Sequence, residues 1–169
     1  MANSTFSGPI RSESTIKTVS KNATTGVITE VTTFGDAPVS LADGNVTLTN
    51  ATHSGRVLLV PDGGQDNTYT LPAPIAGNTF RFVYAGGAAD ATDAIIVTPG
   101  NANFYIGGVT FLDTDGNEVS SVFSDGNSNS SIQINVPAGF DVTIVGLNTT
   151  NYQIFVNVTS TTAPVIADQ

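Results

Sequence analysis

The stretch that decides the fold is Thr79-Phe80-Arg81-Phe82-Val83-Tyr84. Its aromatic side chains occupy every second position, and successive side chains of a β-strand point to opposite faces. One face of this strand is therefore expected to be buried, and the other to contact water. The same alternation occurs at residues 131–136, 140–144 and 152–158. These four runs predict a body built from β-strands.

Further strand candidates recur along most of the chain at intervals of roughly 8–15 residues, separated by Gly, Asn, Asp and Pro. They are residues 45–49, 56–60, 68–71, 79–84, 94–98, 103–106, 109–112, 118–123, 131–136, 140–146 and 152–158. No window shows a sustained helical period with capping residues. The sequence therefore predicts an all-β fold, an antiparallel sandwich or jelly-roll-like barrel, with an extended N-terminal arm and little or no helix.

The chain is expected to have three parts: an N-terminal arm or hairpin at 1–40, a body at 41–158 and a loose C-terminal tail at 159–169. Two β-prone runs lie in the first part, at 12–20 and 27–34, and Asn22 to Gly26 separate them. Gly26 can adopt the positive φ that a tight hairpin turn needs. Two interpretations stay open for this part, an ordinary first hairpin or an arm that becomes ordered only on a partner surface.

Charge is scarce and unevenly distributed in this chain of 169 residues. Charged residues make up 11% of it, against roughly 25% in typical soluble domains. Residues 1–34 hold three basic and two acidic residues, whereas residues 35–169 hold two basic and twelve acidic residues. An acidic body repels phosphate backbones, so nucleic acid is not an expected partner.

Cysteine is absent, which excludes disulfides and thiolate metal sites. The N-terminus lacks the basic and then apolar pattern of a secretory signal, and no stretch approaches the apolar length of a membrane span. We therefore expect synthesis in a cytoplasm, a soluble product and no membrane partner.

The best metal candidate is the acidic segment that contains Asp113, Asp115 and Asn117. Closely spaced carboxylate and amide oxygens are the ligands that Ca²⁺ prefers. However, Asp115-Gly116 between two apolar runs is also a strong hairpin signal. We favour a plain turn, keep the three residues as weak metal candidates and expect no cofactor.

Catalytic equipment is sparse. His53 is the sole histidine, and no Gly-x-Ser-x-Gly motif accompanies it. Pairs of Asp residues could form a glycosidase site, but such enzymes usually carry aromatic sugar platforms, and tryptophan is absent. We interpret His53 as a surface residue, predict no catalytic residue and expect that the protein is not an enzyme.

Two patches carry a resemblance to a known class of proteins. The opening 13 residues with Ile16-Lys17-Thr18-Val19-Ser20 resemble the start of structural proteins from marine tailed phages, particularly those that infect cyanobacteria. The second patch resembles β modules of phage head fibres, tail fibres and capsid decoration proteins. It comprises Thr68-Tyr69-Thr70-Leu71-Pro72-Ala73-Pro74, Gly77-Asn78-Thr79-Phe80-Arg81-Phe82 and Ala94-Ile95-Ile96-Val97-Thr98-Pro99.

The resemblance implies a capsid decoration, or cement, protein of the virion. Such a protein binds the outside of the head through the major capsid protein and stabilises the shell without catalysis. It is often a homo-oligomer, with a homotrimer favoured.

Six residues of the first part are the candidate capsid-binding site. We expect three apolar anchors and three basic residues that meet acidic capsid patches: Phe6, Ile10 and Ile16, and Arg11, Lys17 and Lys21. An extended segment of this kind binds through main-chain pairing, which needs no special side chains.

Three other functions remain open. A head- or tail-fibre module that binds host surface carbohydrate would be favoured by tyrosines on exposed loops, namely Tyr69, Tyr84, Tyr105 and Tyr152. A secreted calcium-dependent adhesin domain is disfavoured by the missing signal sequence and the incomplete acidic motif. An enzyme is the least supported of the three.

Overall fold

The computed structural model describes residues 18–31, 37–87 and 91–169. The chain divides into two units, Met1–Asp36 and Ala37–Gln169. In the first unit, β1 (Thr18–Lys21) pairs antiparallel with β2 (Ile28–Val31). The intervening turn has Gly26 at φ 72°, which agrees with the hairpin interpretation of this segment.

The second unit contains twelve strands and one four-residue helix in its described part. They are β3 (Val39–Ser40), β4 (Val46–Thr47), α1 (Asn50–His53), β5 (Val57–Val60), β6 (Asn67–Thr70), β7 (Thr79–Tyr84), β8 (Ala94–Val97), β9 (Phe104–Asp113), β10 (Val119–Phe123), β11 (Ser131–Ile134), β12 (Pro137–Gly146), β13 (Asn151–Ser160) and β14 (Val165–Ala167). Strand β7 coincides with the stretch that decides the fold, and most other strands fall on the predicted runs.

These strands form two sheets that enclose one core. The seven-stranded sheet has the order β10-β9-β13-β12-β7-β5-β3, and the five-stranded sheet has the order β14-β11-β8-β6-β4. Buried side chains of both sheets belong to a single hydrophobic cluster. Tyr69 of the smaller sheet meets Phe82 of the larger one with ring centroids 6.1 Å apart. The predicted all-β sandwich with little helix is confirmed.

The strand pairing is mixed, and only part of it is antiparallel as predicted. From β3 to β8 the chain passes from one sheet to the other after every strand. We call this segment the two-sided coil. Strands that follow one another within the same sheet of the coil are parallel, as in β3-β5-β7 and β4-β6-β8. Parallel strands need a crossover, and here a strand of the opposite sheet provides it. Strands β9 and β13 are also parallel.

Rows of apolar side chains run across each sheet because the registers bring inward-facing residues together. In the seven-stranded sheet one such row is Leu58, Phe82, Val142, Val156 and Val109. In the five-stranded sheet the matching row is Tyr69, Ile96 and Ile132. All eight side chains are buried. Each contributes roughly 1.5–3 kcal/mol on burial, so these rows hold the two sheets together.

The prediction of a loose C-terminal tail is wrong. Residues 165–167 form β14, which pairs with β11 at the edge of the smaller sheet. Gln169 is fastened as well, since its Nε2 donates to the carbonyl oxygen of Thr98 at 2.8 Å and its backbone N–H to Ser130 Oγ at 3.0 Å. The edge of β11 needs main-chain partners, and the short apolar run Val165-Ile166-Ala167 supplies them. The body also begins before residue 41, because β3 belongs to the larger sheet.

Candidate functional site

The predicted capsid-binding residues are described only in part. Those that lie outside the described residues are Phe6, Ile10, Arg11, Ile16 and Lys17. The sixth, Lys21, is the last residue of β1, and its side chain is exposed.

The hairpin that contains Lys21 has a well-defined turn. The side chain of Asn22 accepts from the backbone N–H groups of Thr24 at 2.9 Å and Thr25 at 3.0 Å. Val27 and Ile28 follow the turn, and both are exposed. Sequence reasoning did not single out these two apolar residues, although they open the second predicted run. A two-stranded hairpin is marginally stable by itself in water, so a surface that covers Val27 and Ile28 would stabilise it.

The acidic segment at residues 113–118 is the turn of a β-hairpin, as favoured from the sequence. It joins β9 to β10, and Asp113 Oδ1 accepts from the backbone N–H groups of Asp115 at 2.9 Å and Gly116 at 3.2 Å. Asn117 adopts φ 52° at this turn. Among the described residues, no group of three or more His, Cys, Asp or Glu residues could hold a metal ion.

A second acidic loop, between β10 and β11, folds around Asp125. Its Oδ2 accepts from the hydroxyl of Ser128 at 2.6 Å, and its Oδ1 accepts from the backbone N–H groups of Asn127 and Ser128. These hydrogen bonds hold the pKa of Asp125 well below its usual range, and the bond from the Ser128 hydroxyl has the largest effect. The carboxylate is thus used to order the loop.

His53 lies at the end of α1 and is half-buried rather than fully exposed. Its Nδ1 accepts from the backbone N–H of Thr49 at 3.0 Å, and the Thr49 side chain caps the same helix by accepting from the Thr52 N–H. This ring nitrogen therefore completes a local capping arrangement.

The tyrosines do not lie on exposed loops, so the feature that would have favoured a carbohydrate site at these positions is not present. Tyr69, Tyr105 and Tyr152 are fully buried, and Tyr84 packs partly buried against the core. Tyr105 donates to the carbonyl oxygen of Ile96 at 3.2 Å. Burial raises the pKa of Tyr152 to about 12 and raises that of Tyr105 well above its usual value.

Exposed aromatic side chains occur instead on the outer face of the larger sheet, the face turned away from the smaller sheet. Phe155 of β13, Gly108 of β9 and Phe123 of β10 are in register across three neighbouring strands. Phe123 is 74% exposed and Phe155 is 59% exposed. A pocket of about 350 Å³ lies among these residues, and we call it the phenylalanine slot.

Both glycines at the base of the slot are required by their neighbours. A Cβ atom on Gly108 would lie 2.7 Å from the Val122 carbonyl oxygen and 2.8 Å from Phe123 Cδ1. Gly107 has φ 116°, and a Cβ there would lie 2.6 Å from Gln153 Nε2. The side chains of Phe123 and Gln153 therefore occupy the space that larger residues would need.

Sequence reasoning missed this slot, although a signal for it exists. In the run Tyr152 to Val158, the buried side chains are those of Tyr152, Ile154, Val156 and Val158, and Phe155 has the opposite phase. An aromatic residue on the polar face of an alternating strand is the pattern that indicates such a surface.

The charged pair on the same outer face is Arg81 and Asp141. Arg81 Nε donates to Asp141 Oδ1 at 3.0 Å, and Nη2 donates to Oδ2. The hydrogen bond from Arg81 to Asp141, together with the charge of the carboxylate, raises the pKa of the guanidinium. Arg81 lies on the exposed face of β7, as the alternation in this run predicts, and its charge is balanced within the sheet.

No protein-family model and no curated protein matches this chain. No helix in the described residues is long and apolar enough to cross a membrane.

Proposed function

We propose that the protein decorates the outside of a phage head, where it binds the major capsid protein and stabilises the shell without catalysis. The observation that carries the proposal is the division of the chain into a hairpin unit, Met1–Asp36, and a sandwich unit, Ala37–Gln169. One unit is suited to dock and the other to remain folded on the outside. The resemblance to marine phage structural proteins points to the same function.

The sandwich unit supports the proposal through its chemistry. Several of its described acidic side chains order loops or form a surface pair, as with Asp113, Asp125 and Asp141. Its sole histidine caps a short helix. A unit with these features suits a structural part that is present in many copies, and its negative charge favours solubility.

The hairpin unit supports the proposal through its exposed surface. Val27 and Ile28 are exposed, and Lys21 adds a positive charge beside them. Strands β1 and β2 pair only with each other in the described residues, so either strand could add to the edge of a capsid sheet. Many copies then stiffen the shell by multivalent contact, and a homotrimer is the favoured assembly.

The test is binding to purified heads that lack the protein. Deletion of residues 1–21 should abolish binding, while circular dichroism shows an unchanged sandwich. The control is the full-length chain with Val165→Ala, which changes an exposed residue of β14 and should bind like the parent. Full occupancy of the heads by the truncated chain would overturn the proposal.

A second candidate function is a head- or tail-fibre module that binds host surface carbohydrate. The phenylalanine slot is the observation that favours it, since exposed aromatic rings are the usual platforms for sugars. The copy number in the virion separates the two functions. Hundreds of copies indicate decoration, whereas a few to some tens indicate a fibre.

A further inference from the structure

The phenylalanine slot combines two exposed aromatic rings with the backbone of Gly107 and Gly108, and the ring of Phe123 leans over Gly108. Phe155 and Phe123 stand on β13 and β10, with only Gly108 between them in the register. Neighbouring strands are about 4.8 Å apart, so the two side chains rise from positions about 10 Å apart. The volume of about 350 Å³ falls within the range of roughly 300–1,000 Å³ of small-molecule pockets.

Polar side chains line the slot on both sides of the aromatic row. Gln153 lies one outward position before Phe155 on β13, and Asn157 lies one outward position after it. Thr110 and Ser121 are in register with Asn157 on the two neighbouring strands. Amides and hydroxyls both donate and accept hydrogen bonds, so the flanks of the slot can bind groups that do the same.

None of the eleven residues that line the slot is ionisable. An anionic ligand would find no cation there and would meet a body with excess negative charge. A cationic ligand would find no carboxylate there, since Asp141 on the same face is already paired with Arg81. The uncharged lining therefore matches an uncharged ligand that is rich in hydroxyl groups and has an apolar face.

We infer that the slot binds a neutral saccharide, whose C–H face packs on Phe123 and Phe155 and whose hydroxyls bond to the flanking amides and hydroxyls. Pyranose rings combine these two kinds of surface. The inference rests on the second candidate function and names the site and the ligand class for it. It does not involve the hairpin unit, so the head-binding test is independent of it.

The experiment is titration of the full-length chain by calorimetry and NMR with defined probes. The neutral probes are cello-, malto-, manno- and galacto-oligosaccharides and N-acetylglucosamine oligomers; heparin and alginate are the anionic ones. We expect binding of at least one neutral probe, with shifts at Gly108, Phe123 and Phe155. Phe123→Ala and Phe155→Ala should each weaken it at least about tenfold, as loss of a central aromatic contact does. Val165→Ala, on the other sheet, should not.

Each remaining outcome overturns the inference in a distinguishable way. If both phenylalanine variants still bind the neutral saccharide, the slot is not the binding site, although the carbohydrate-binding function stands. If the chain binds none of the probes, both the binding site and the carbohydrate-binding function are ruled out. Preference for heparin or alginate would contradict the neutral ligand class. Self-association in sedimentation experiments that Phe123→Ala abolishes would assign the slot to a second copy of the chain.

Discussion

Asp93 joins three segments of the sandwich unit through hydrogen bonds. Its Oδ1 accepts from the backbone N–H of Val136 at 3.1 Å, and its Oδ2 accepts from Gln133 Nε2 at 2.7 Å. Its own backbone N–H donates to Asp66 Oδ1 at 2.9 Å. Val136 has φ 39°, a conformation that β-branched residues rarely adopt and that costs roughly 1–3 kcal/mol. The Asp93 carboxylate therefore helps to hold a strained position.

We expect Asp93→Ala to lower the free energy of unfolding by about 1–3 kcal/mol. The substitution removes two hydrogen bonds and leaves the N–H of the strained Val136 without its carboxylate partner. Urea unfolding followed by circular dichroism measures the change. The exposed Asp62 provides the control, because Asp62→Ala should change stability by less than about 0.5 kcal/mol. Equal effects of the two substitutions would contradict this role of Asp93.

Two core tyrosines should make the protein sensitive to alkali. Burial raises the pKa of Tyr152 to about 12 and raises that of Tyr105 well above its usual value, whereas unfolded tyrosine titrates near 10. A raised pKa means that the unfolded state releases its proton first. The stabilisation is therefore complete below about pH 10 and is lost as the pH rises toward 12 and beyond.

The corresponding measurement is the free energy of unfolding in urea at about pH 9 and about pH 11. The parent chain should be less stable at the higher pH. Tyr152→Phe should reduce this difference, because phenylalanine does not titrate, although the variant loses the 2.7 Å hydrogen bond to the Pro72 carbonyl oxygen. A pH dependence that Tyr152→Phe and Tyr105→Phe leave unchanged would show that other groups cause it.

Strand β7 shows at the scale of the element how alternation determines burial. Phe80 and Phe82 have no exposed surface, and Arg81 between them is exposed. The strand lies between β12 and β5 in the larger sheet. Strand β13 has the same alternation, but it also carries Phe155 on its outer face.

Truncation of two phenylalanines should therefore have very different consequences. Phe82→Ala should lower the free energy of unfolding by about 3–5 kcal/mol, as in other buried sites. Phe155→Ala should change it by less than about 1 kcal/mol, because the side chain is 59% exposed. Chemical unfolding of the two variants side by side measures both values. Comparable losses would mean that the face of β13 is assigned incorrectly.

Alternation in the sequence was sufficient to predict most strands and their buried faces. The run at 79–84 became β7, and the runs at 103–106 and 109–112 became the single strand β9 around Gly107 and Gly108. It was not sufficient to predict the pairing, because parallel and antiparallel strands share the period of two. Strands β3 and β14 were missed, since segments of two or three residues show too little alternation.

The whole molecule consists of two units with different charge. The hairpin unit has no net charge, whereas the sandwich unit carries the whole formal net charge of −9. Among the described residues, all members of the hydrophobic core belong to the sandwich unit. The stability of the sandwich should therefore not depend on residues 1–36.

We expect a chain of residues 37–169 to fold cooperatively with a Tm within a few degrees of that of the full chain. The physical reason is that deletion removes none of the core side chains that the structure describes. Differential scanning calorimetry measures both transitions, and near-ultraviolet circular dichroism checks the tyrosine packing. A truncated chain that fails to unfold cooperatively would show that the units depend on each other.

The candidate site could be anticipated only in outline. The Asp115-Gly116 pair predicted the turn that contains Asp113. Gly26 between two β-prone runs predicted the first hairpin. The four tyrosines do not lie on exposed loops, because each lies in the inward phase of its strand or packs on the core. The phenylalanine slot depends on the register of β13, β9 and β10, which brings together residues distant in sequence. No local pattern contains that register.

The two-sided coil from β3 to β8 implies an order of folding events. Each of its strands pairs with a strand from the next turn, so these contacts can form soon after the first nucleus. Strand β7, however, receives its second partner from β12, and Arg81 and Asp141 are 60 residues apart. Until β12 arrives, the edge of β7 with its two buried phenylalanines is open to wrong pairing. The pairing of β7 with β12 must wait for the intervening segment, which contains β8 to β11, and we therefore expect this step to limit the folding rate.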